Sequence, residues 1–281
     1  MKPHWITAFA DDSPTGDVAL GSRNLDIHDH ARINTLLYQF GQQYLDKRGW
    51  FESLDGVPRN KDGVVPWITY PAFRQMQRII KPGGRVFEFG CGGSSLWWAS
   101  NAAEVISVEH DADWAARVSA EAPANLKIIS RVLNEACSPE RQALVADFFA
   151  NPPELPLSGH PDHDLMHGLL CAEFVAYATE ITQYEPESFD VVVVDGMARA
   201  LTAWLAIRYV KPGGIILFDN SDRWQYNGAY RLLSAAGFRR IDYYGPGPVN
   251  RLEWCTSLFV RDLDVFAASV DSSHGDSDLP W

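Results

Sequence analysis

Arg85-Val-Phe-Glu-Phe-Gly-Cys-Gly-Gly-Ser-Ser-Leu96 is the stretch that decides the fold. It predicts a buried strand, Val86 to Phe89, that runs into a glycine-rich turn and then into a helix. Glycine is needed where the backbone turns with positive φ or lies close to a ligand. The amides of such a turn and of the next helix N-terminus attract a negative or electron-rich group. Glu88, near the strand end, offers a partner to a positive group.

A second acid ends the next apolar run, Val105-Ile-Ser-Val-Glu109. In a strand–loop–helix–strand unit, an acid at the end of the second strand accepts hydrogen bonds from ribose hydroxyls. A glycine turn alone is a weak signal, but with both acids it predicts a nucleoside site. The alternative is a tight turn beside a solvated acid.

These residues resemble class I S-adenosylmethionine-dependent methyltransferases. Glu88-Phe-Gly90-Cys-Gly92-Gly-Ser94 is similar to their acid-x-Gly-x-Gly-x-Gly motif, with Ser94 replacing the last glycine, and Val-Ile-Ser-Val-Glu109 is similar to their second motif. The resemblance implies that the glycine turn holds the methionine part of S-adenosylmethionine and that Glu109 holds its ribose. The cofactor-binding residues expected on this basis are Glu88, Phe89, Gly90, Cys91, Gly92, Ser94, Ser95, Glu109, His110 and Asp195.

Strands and helices alternate beyond this motif and predict an α/β fold with a doubly wound, Rossmann-like sheet of seven strands in three αβα layers. A hairpin around Gly245-Pro-Gly-Pro248 indicates an antiparallel last strand, as in methyltransferase sheets. The expected strands are 86–89, 105–109, 126–130, 189–195, 215–218, 239–244 and 255–261. The expected domains are an N-terminal cover segment at 1–68, the cofactor-binding domain at 69–262 with a lid insertion at 134–168, and an acidic tail at 263–281.

Length and charge narrow the function. The 281 residues suit one domain with additions, and a net charge of −12 argues against non-specific binding to nucleic-acid backbones. Four cysteines without a CxxC pair fit a reduced, cytoplasmic protein. No apolar run is long enough for a membrane helix, and the first residues lack the apolar core of a signal peptide.

Further polar residues follow two later strands. Asp195 comes after a four-valine run, and Asp219-Asn220 follows Ile215 to Phe218. Ligands of a doubly wound sheet gather at the carboxyl ends of its strands, and these oxygens suit Mg²⁺. The pattern resembles metal-dependent O-methyltransferases of the catechol, caffeoyl-coenzyme A and macrocin types, which implies metal ligands at Asp195, Asp219 and Asn220 and catalytic roles for both acids.

The resemblance departs from the catechol type at one position. That group has a lysine base after the first metal-binding Asp, whereas Arg199 stands here and is a poor base. The alternative for the two acids is that they cap helices without a metal. The base is open; His28 and His30 of the cover segment are further candidates.

The sequence therefore predicts an S-adenosylmethionine-dependent methyltransferase that acts on an oxygen of a small molecule or sugar, with Mg²⁺ as a candidate cofactor. The alternatives are a metal-independent N-methyltransferase, a nicotinamide-dependent oxidoreductase, and a non-catalytic binding module of the same fold. The oligomeric state is open. Among other residues, Trp97 and Trp98 are expected in the core, Trp224 and Tyr226 beside a substrate or in the core, and His160, His163 and His167 in a polar lid loop.

Overall fold

The computed structural model describes residues 27–150 and 172–269. The chain divides into two compact units, 1–47 and 48–281. In the first, helix α1 (Ile27–Gln39) continues as a π-helix over Phe40–Asp46. The loop beginning at Asn151, the three lid histidines and the tail beyond 269 lie outside the described residues.

The second unit contains the sheet. Its strands are β1 (Arg59–Asn60), β2 (Gly63–Val64), β3 (Arg85–Phe89), β4 (Glu104–Glu109), β5 (Leu126–Ser130), β6 (Phe189–Val194), β7 (Val210–Asp219), β8 (Arg239–Gly245) and β9 (Trp254–Val260). Its α-helices are α2 (Tyr70–Ile79), α3 (Gly93–Asn101), α4 (Ala112–Ser119), α5 (Pro139–Ala150), α6 (Val175–Ala178), α7 (Arg199–Tyr209) and α8 (Asn227–Ala235).

Seven of these strands form one sheet in the order β5-β4-β3-β6-β7-β9-β8. The neighbours from β5 to β7 run parallel, whereas β9 is antiparallel to both β7 and β8. The predicted fold class, a seven-stranded Rossmann-like sheet with an antiparallel last strand, is confirmed. β1 and β2 form a separate two-stranded hairpin.

Side chains of the parallel strands alternate between two apolar layers because successive residues of a strand point to opposite faces. Phe87 and Phe89 lie in one cluster, with residues of α6 and α7. Val86 lies in the other, with Met76 of α2 and Trp98 of α3. Trp98 is fully buried, as predicted. Both faces of the central strands are covered, which is why the four-valine run is continuous rather than alternating.

Several element boundaries differ from those predicted. β7 begins at Val210 instead of 215, and its pairing with β6 shifts register between Phe189 and Val191, which accommodates Pro212 and two glycines inside the strand. From residue 172 to residue 183, the short helix α6 lies between two 3₁₀ turns. In the described part of the chain, no helix is long and apolar enough to cross a membrane.

Candidate cofactor and acceptor site

The carboxyl ends of β3, β4, β6 and β7 lie side by side because these strands are parallel neighbours. The sequence places Glu109, Asp195 and Asp219 at the ends of β4, β6 and β7, with the glycine turn after β3. The structure therefore brings the predicted acids and the turn to one edge of the sheet, where ligands of doubly wound folds bind.

Glu88 does not face this edge. It is 1% exposed, and its carboxylate accepts hydrogen bonds from Ser95, from Ser107 at 2.7 Å and from the Trp98 indole at 3.1 Å. Burial raises the pKa of Glu88, and these hydrogen bonds oppose the rise. Its partners lie on α3 and β4, so Glu88 fixes the helix after the glycine turn to the sheet. The predicted contact between Glu88 and a positive ligand group is not supported by this arrangement.

Glu109 connects the ends of β4 and β3. One carboxylate oxygen accepts from the Cys91 amide at 2.9 Å, and the other accepts from the His110 and Asp111 amides at 2.8 and 2.9 Å. The His110 Nδ1 lies 2.7 Å from that second oxygen. Burial alone would raise the pKa of Glu109, but His110 and the amides outweigh it, so the pKa is lowered. Glu109 is an ionised carboxylate at the predicted ribose position.

His110 is the exchangeable partner of Glu109. Its side chain is 38% exposed, and its ring contacts the rings of Phe174 and Tyr177 edge-on, at 5.8 and 6.2 Å between centroids. The three amides around Glu109 are fixed by the backbone. A ligand hydroxyl that donates to this second oxygen of Glu109 would compete with the imidazole.

Glycine is required at two adjoining positions, one in the turn after β3 and one in the segment after β6. Gly90 has a φ of +94°, a conformation that other residues rarely adopt. Gly196, which follows Asp195, packs against it: a Cβ on Gly196 would lie 2.9 Å from the Gly90 nitrogen and would overlap the Tyr177 hydroxyl. This close approach brings the backbone after β6 beside the turn after β3.

Two amides at the start of α3 are open to a ligand. The amides of Gly90, Cys91 and Gly92 donate to Val108, Glu109 and Ser95, respectively. Among the described residues the amides of Gly93 and Ser94 have no acceptor, as is usual in the first turn of a helix. Together with the positive end of the helix dipole, they fit a carboxylate.

Asp195 adjoins this turn. Its amide donates to the Phe89 carbonyl at 3.3 Å, and its side chain is 30% exposed. One carboxylate oxygen lies 3.1 Å from the Arg199 guanidinium. Within the described residues the other oxygen has no hydrogen-bond partner. Burial and the neighbouring Asp219 raise the pKa of Asp195 well above its usual value, while Arg199 opposes this. Asp195 is therefore a carboxylate suited to accept a proton.

Arg199, at the start of α7, lies across the ends of β6 and β7. Its Nε donates to the Gly196 carbonyl at 2.9 Å, and its two terminal nitrogens donate to the Asp219 and Asp195 carbonyls, each at 2.5 Å. The side chain is 9% exposed, and the guanidinium lies 5.5 Å from the centre of the Tyr226 ring. Arg199 therefore holds the ends of two neighbouring strands together.

The Asp219 carboxylate is buried and hydrogen-bonded to residues of β9. The residue is 3% exposed, and one carboxylate oxygen accepts from the Trp254 indole at 2.9 Å and from the Thr256 hydroxyl at 2.5 Å. Burial raises the pKa of Asp219, while Arg199, Thr256 and Trp254 oppose this. Asn220 has a φ of +52°, in the left-handed region that asparagine tolerates. Its side chain makes no hydrogen bond within the described residues.

The predicted Mg²⁺ site does not fit these side chains. In residues 27–150 and 172–269, no group of three or more His, Cys, Asp or Glu could hold a metal ion. The Arg199 guanidinium contacts the Asp195 carboxylate and the Asp219 backbone carbonyl, whereas the Asp219 carboxylate is bonded to Trp254 and Thr256. A fixed positive charge thus lies beside Asp195, one of the expected metal ligands.

Four residues beside the candidate site were not predicted from the sequence. Trp114 of α4 donates from its indole to the Cys91 carbonyl at 2.7 Å and is 44% exposed beside the glycine turn. Tyr177 packs under Gly196, and Trp254 and Thr256 of β9 hold Asp219. Trp114 follows Glu109 by five positions, a spacing that offered a signal; the other three come from distant segments and offered none.

Other predicted residues have varied positions. Tyr226 is buried and contacts Phe218, so it belongs to the core beside Arg199. Trp224 is 49% exposed. Ser95 donates to Glu88, so its hydroxyl supports the turn instead of facing a ligand. His28 and His30 belong to helix α1 of the first unit.

No family model matches the chain, and no curated protein matches it. Solved structures share its fold distantly. Spermidine synthase from Thermotoga maritima is 12% identical over 69% of this chain, with a TM-score of 0.42, and the match spans 58% of its own length. A S-adenosylmethionine-dependent methyltransferase from Mesorhizobium loti is 13% identical over 68% of this chain and 96% of its own, with a TM-score of 0.39.

A third similar structure is the 1,6-didemethyltoxoflavin-N1-methyltransferase of Burkholderia thailandensis, with 1,6-didemethyltoxoflavin and S-adenosylhomocysteine bound. It is 12% identical over 85% of this chain and 92% of its own, with a TM-score of 0.40. The fold assignment itself rests on the strand order of the sheet.

Proposed function

We propose that this chain is a S-adenosylmethionine-dependent methyltransferase acting on a small molecule. The observation that carries the proposal is the pairing of Glu109 with the Cys91 amide, which fixes an ionised acid of β4 against the glycine turn of β3. An acid in this place suits ribose hydroxyls, and the open amides of Gly93 and Ser94 suit a carboxylate. One ligand that carries both groups is S-adenosylmethionine.

The residues present fit that cofactor. Glu109 would hold the ribose, whose hydroxyl would compete with the His110 imidazole for the carboxylate. The start of α3 would hold the methionine carboxylate. When bound, S-adenosylmethionine supplies a methyl group activated by a sulfonium. A nicotinamide dinucleotide fits less well, because the antiparallel last strand resembles the methyltransferase sheet and not that of nicotinamide-binding enzymes.

Asp195 would perform the protein's part of the transfer. An acceptor atom that takes up the methyl group would lose one proton. The free carboxylate oxygen of Asp195 accepts that proton. Arg199 keeps the carboxylate in place through the other oxygen.

The acceptor is an oxygen or a nitrogen. Oxygen of a small molecule or sugar is the first candidate on the motif resemblance. Nitrogen is the second, and Arg199 favours it: the guanidinium stands where a metal would acidify a hydroxyl, and an amine needs no such help. A cytoplasmic location and the absence of non-specific nucleic-acid binding complete the proposal.

Isothermal titration with S-adenosylhomocysteine tests the cofactor. We expect micromolar binding by the wild type, at least tenfold weaker binding by Glu109→Ala, and unchanged binding by Asp113→Asn, an exposed acid on the following helix. NADH serves as the competing ligand. Binding of NADH without binding of S-adenosylhomocysteine would refute the proposal.

Turnover separates the two acceptors. Methyl-labelled S-adenosylmethionine is incubated with parallel panels of hydroxyl compounds and amines, and the labelled products are identified by mass spectrometry. We expect Asp195→Asn to bind S-adenosylhomocysteine as tightly as the wild type but to lose turnover at least a hundredfold. Full turnover by Asp195→Asn would remove Asp195 from the reaction.

A further inference from the structure

We propose that Arg199 permanently occupies a latent divalent-cation site between Asp195 and Asp219, and that removing its guanidinium converts the pocket into a metal site. The inference deepens the proposed function, since it concerns the same acceptor site. It explains how the chain retains the two acids expected of a metal centre while its described residues provide no metal cluster.

The first support is what the guanidinium binds. Its hydrogen bonds all go to oxygens of the two residues that follow β6 and of the last residue of β7, namely the carbonyls of Asp195, Gly196 and Asp219 and the Asp195 carboxylate. These bonds use four of the five N–H groups of an arginine. Carbonyl and carboxylate oxygens are also what a hard divalent cation binds. Arg199 therefore satisfies the same set of oxygens.

The second support is charge and burial. Asp219 is 3% exposed and the neighbouring Asp195 side chain is 30% exposed, so two carboxylates lie near each other at a partly buried edge of the sheet. Two like charges in such a place require a positive partner. Arg199 provides it from a side chain that is 9% exposed. Arg223, the other cation acting on Asp195, is on the exposed surface and remains after Arg199 is changed.

The third support is that most N–H groups of the Arg199 guanidinium are already hydrogen-bonded to the protein. A guanidinium with four of its N–H groups already bonded to the protein has little capacity left for an anionic acceptor. Arg199 is thus a positioning residue that acts through Asp195. Because an arginine cannot lose its proton at accessible pH, the charge it supplies is constant, whereas a metal ion would come and go with its concentration.

Manganese titration tests the inference without any substrate. Free Mn²⁺ is followed by electron paramagnetic resonance in the presence of the wild type, Arg199→Ala, and Arg199→Met, which keeps an apolar stem against Tyr226. We expect no binding by the wild type at millimolar Mn²⁺. We expect both variants to bind one Mn²⁺ at least tenfold more tightly than the wild type, and Asp195→Asn in either background to abolish the gain.

Thermal unfolding provides the second measurement. We expect both Arg199 variants to melt below the wild type and to recover at least half of the loss when Mn²⁺ is added, while the wild type and Arg208→Ala, an exposed arginine of the same helix, do not respond. Folded variants that gain no Mn²⁺ would overturn the inference.

Tight Mn²⁺ binding by the wild type is a second result that would overturn the inference. If the wild type binds Mn²⁺ tightly and Asp195→Asn removes that binding, Arg199 does not occupy the metal position, whether or not the variants fold. The result is separable from the proposed function, because S-adenosylhomocysteine binding is titrated without metal and depends on Glu109 instead.

Discussion

The backbone amide of Cys91 donates to the Glu109 carboxylate at 2.9 Å, and this bond joins the turn after β3 to the end of β4. The acid thus has two tasks: it stabilises the glycine turn before any ligand arrives, and it lies where a ribose would bind. A substitution at Glu109 is expected to affect both the stability of the fold and the affinity for a nucleoside.

Glu109→Gln tests how much Glu109 contributes to the stability of the fold. The amide can accept from the Cys91 nitrogen or from the pair at His110 and Asp111, but not from both sides. We expect a loss of about 1–3 kcal/mol in the free energy of unfolding, since a buried donor is left unpaired. Urea denaturation measures it. Asp113→Asn, on the exposed face of α4, should change stability by less than about 0.5 kcal/mol.

Glu88→Ala should act on stability through α3. The change leaves the buried donors of Ser95, Ser107 and Trp98 without their acceptor, at an expected cost of about 3 kcal/mol or more. Glu88→Gln is the matched control: the two hydroxyls can rotate to accept from its amide, so the loss should be about 1 kcal/mol. Equal losses in the two variants, measured by urea denaturation, would contradict the structural role assigned to Glu88.

Gly196→Ala tests the close approach of the backbone after β6 to the glycine turn. Its Cβ would meet the Gly90 nitrogen and the Tyr177 hydroxyl, so we expect a loss of about 1–3 kcal/mol from overpacking. Adding Tyr177→Phe removes the nearest contact and should restore part of it, as a double-mutant cycle would show. Gly213→Ala, where a Cβ meets nothing within 4 Å, should be nearly neutral.

His110 should make nucleoside binding depend on pH. Its hydrogen bond to Glu109 raises the pKa of His110 above 6.5. The stability that the pair adds is therefore full below the ordinary histidine pKa and is lost as pH rises through the raised value. If, as proposed, a ribose hydroxyl competes with His110 for Glu109, S-adenosylhomocysteine should bind more tightly at about pH 8.5 than at about pH 6, where the imidazole is charged.

His110→Phe supplies the control for this pH effect. The phenyl ring can retain the edge contacts with Phe174 and Tyr177 but has no proton to give Glu109. Its melting temperature and its affinity for S-adenosylhomocysteine, each compared with the wild type across this range, should lose the part of the pH dependence that comes from His110. The stability difference between the two proteins should stay below about 1 kcal/mol, because the imidazole is partly exposed. An unchanged pH profile in His110→Phe would assign the effect to another group.

The sequence by itself determined the sheet and the location of the site. Apolar runs that end in an acid, a glycine turn and a closing hairpin depend on neighbours along the chain, and local periodicity encodes them. The seven strands with their antiparallel last member, the glycine turn and the acids that follow the strands were predicted from that pattern, whereas the strand order came from the structure. The start of β7 at Val210 was not predicted, because Pro212 and the two glycines after it usually interrupt a strand. Pairing with β6 on both sides of them allows the strand to continue.

Only the tertiary structure decided what each acid does. Glu88 and Glu109 look equivalent in sequence, yet Glu88 faces the layer that contains Trp98, while Glu109 meets the amide of Cys91. Trp254 and Thr256 reach Asp219 from a strand more than thirty positions away, and Arg199 joins two strand ends. The physical reason is that a carboxylate takes its role from the donors that surround it, and these come together only when distant segments pack.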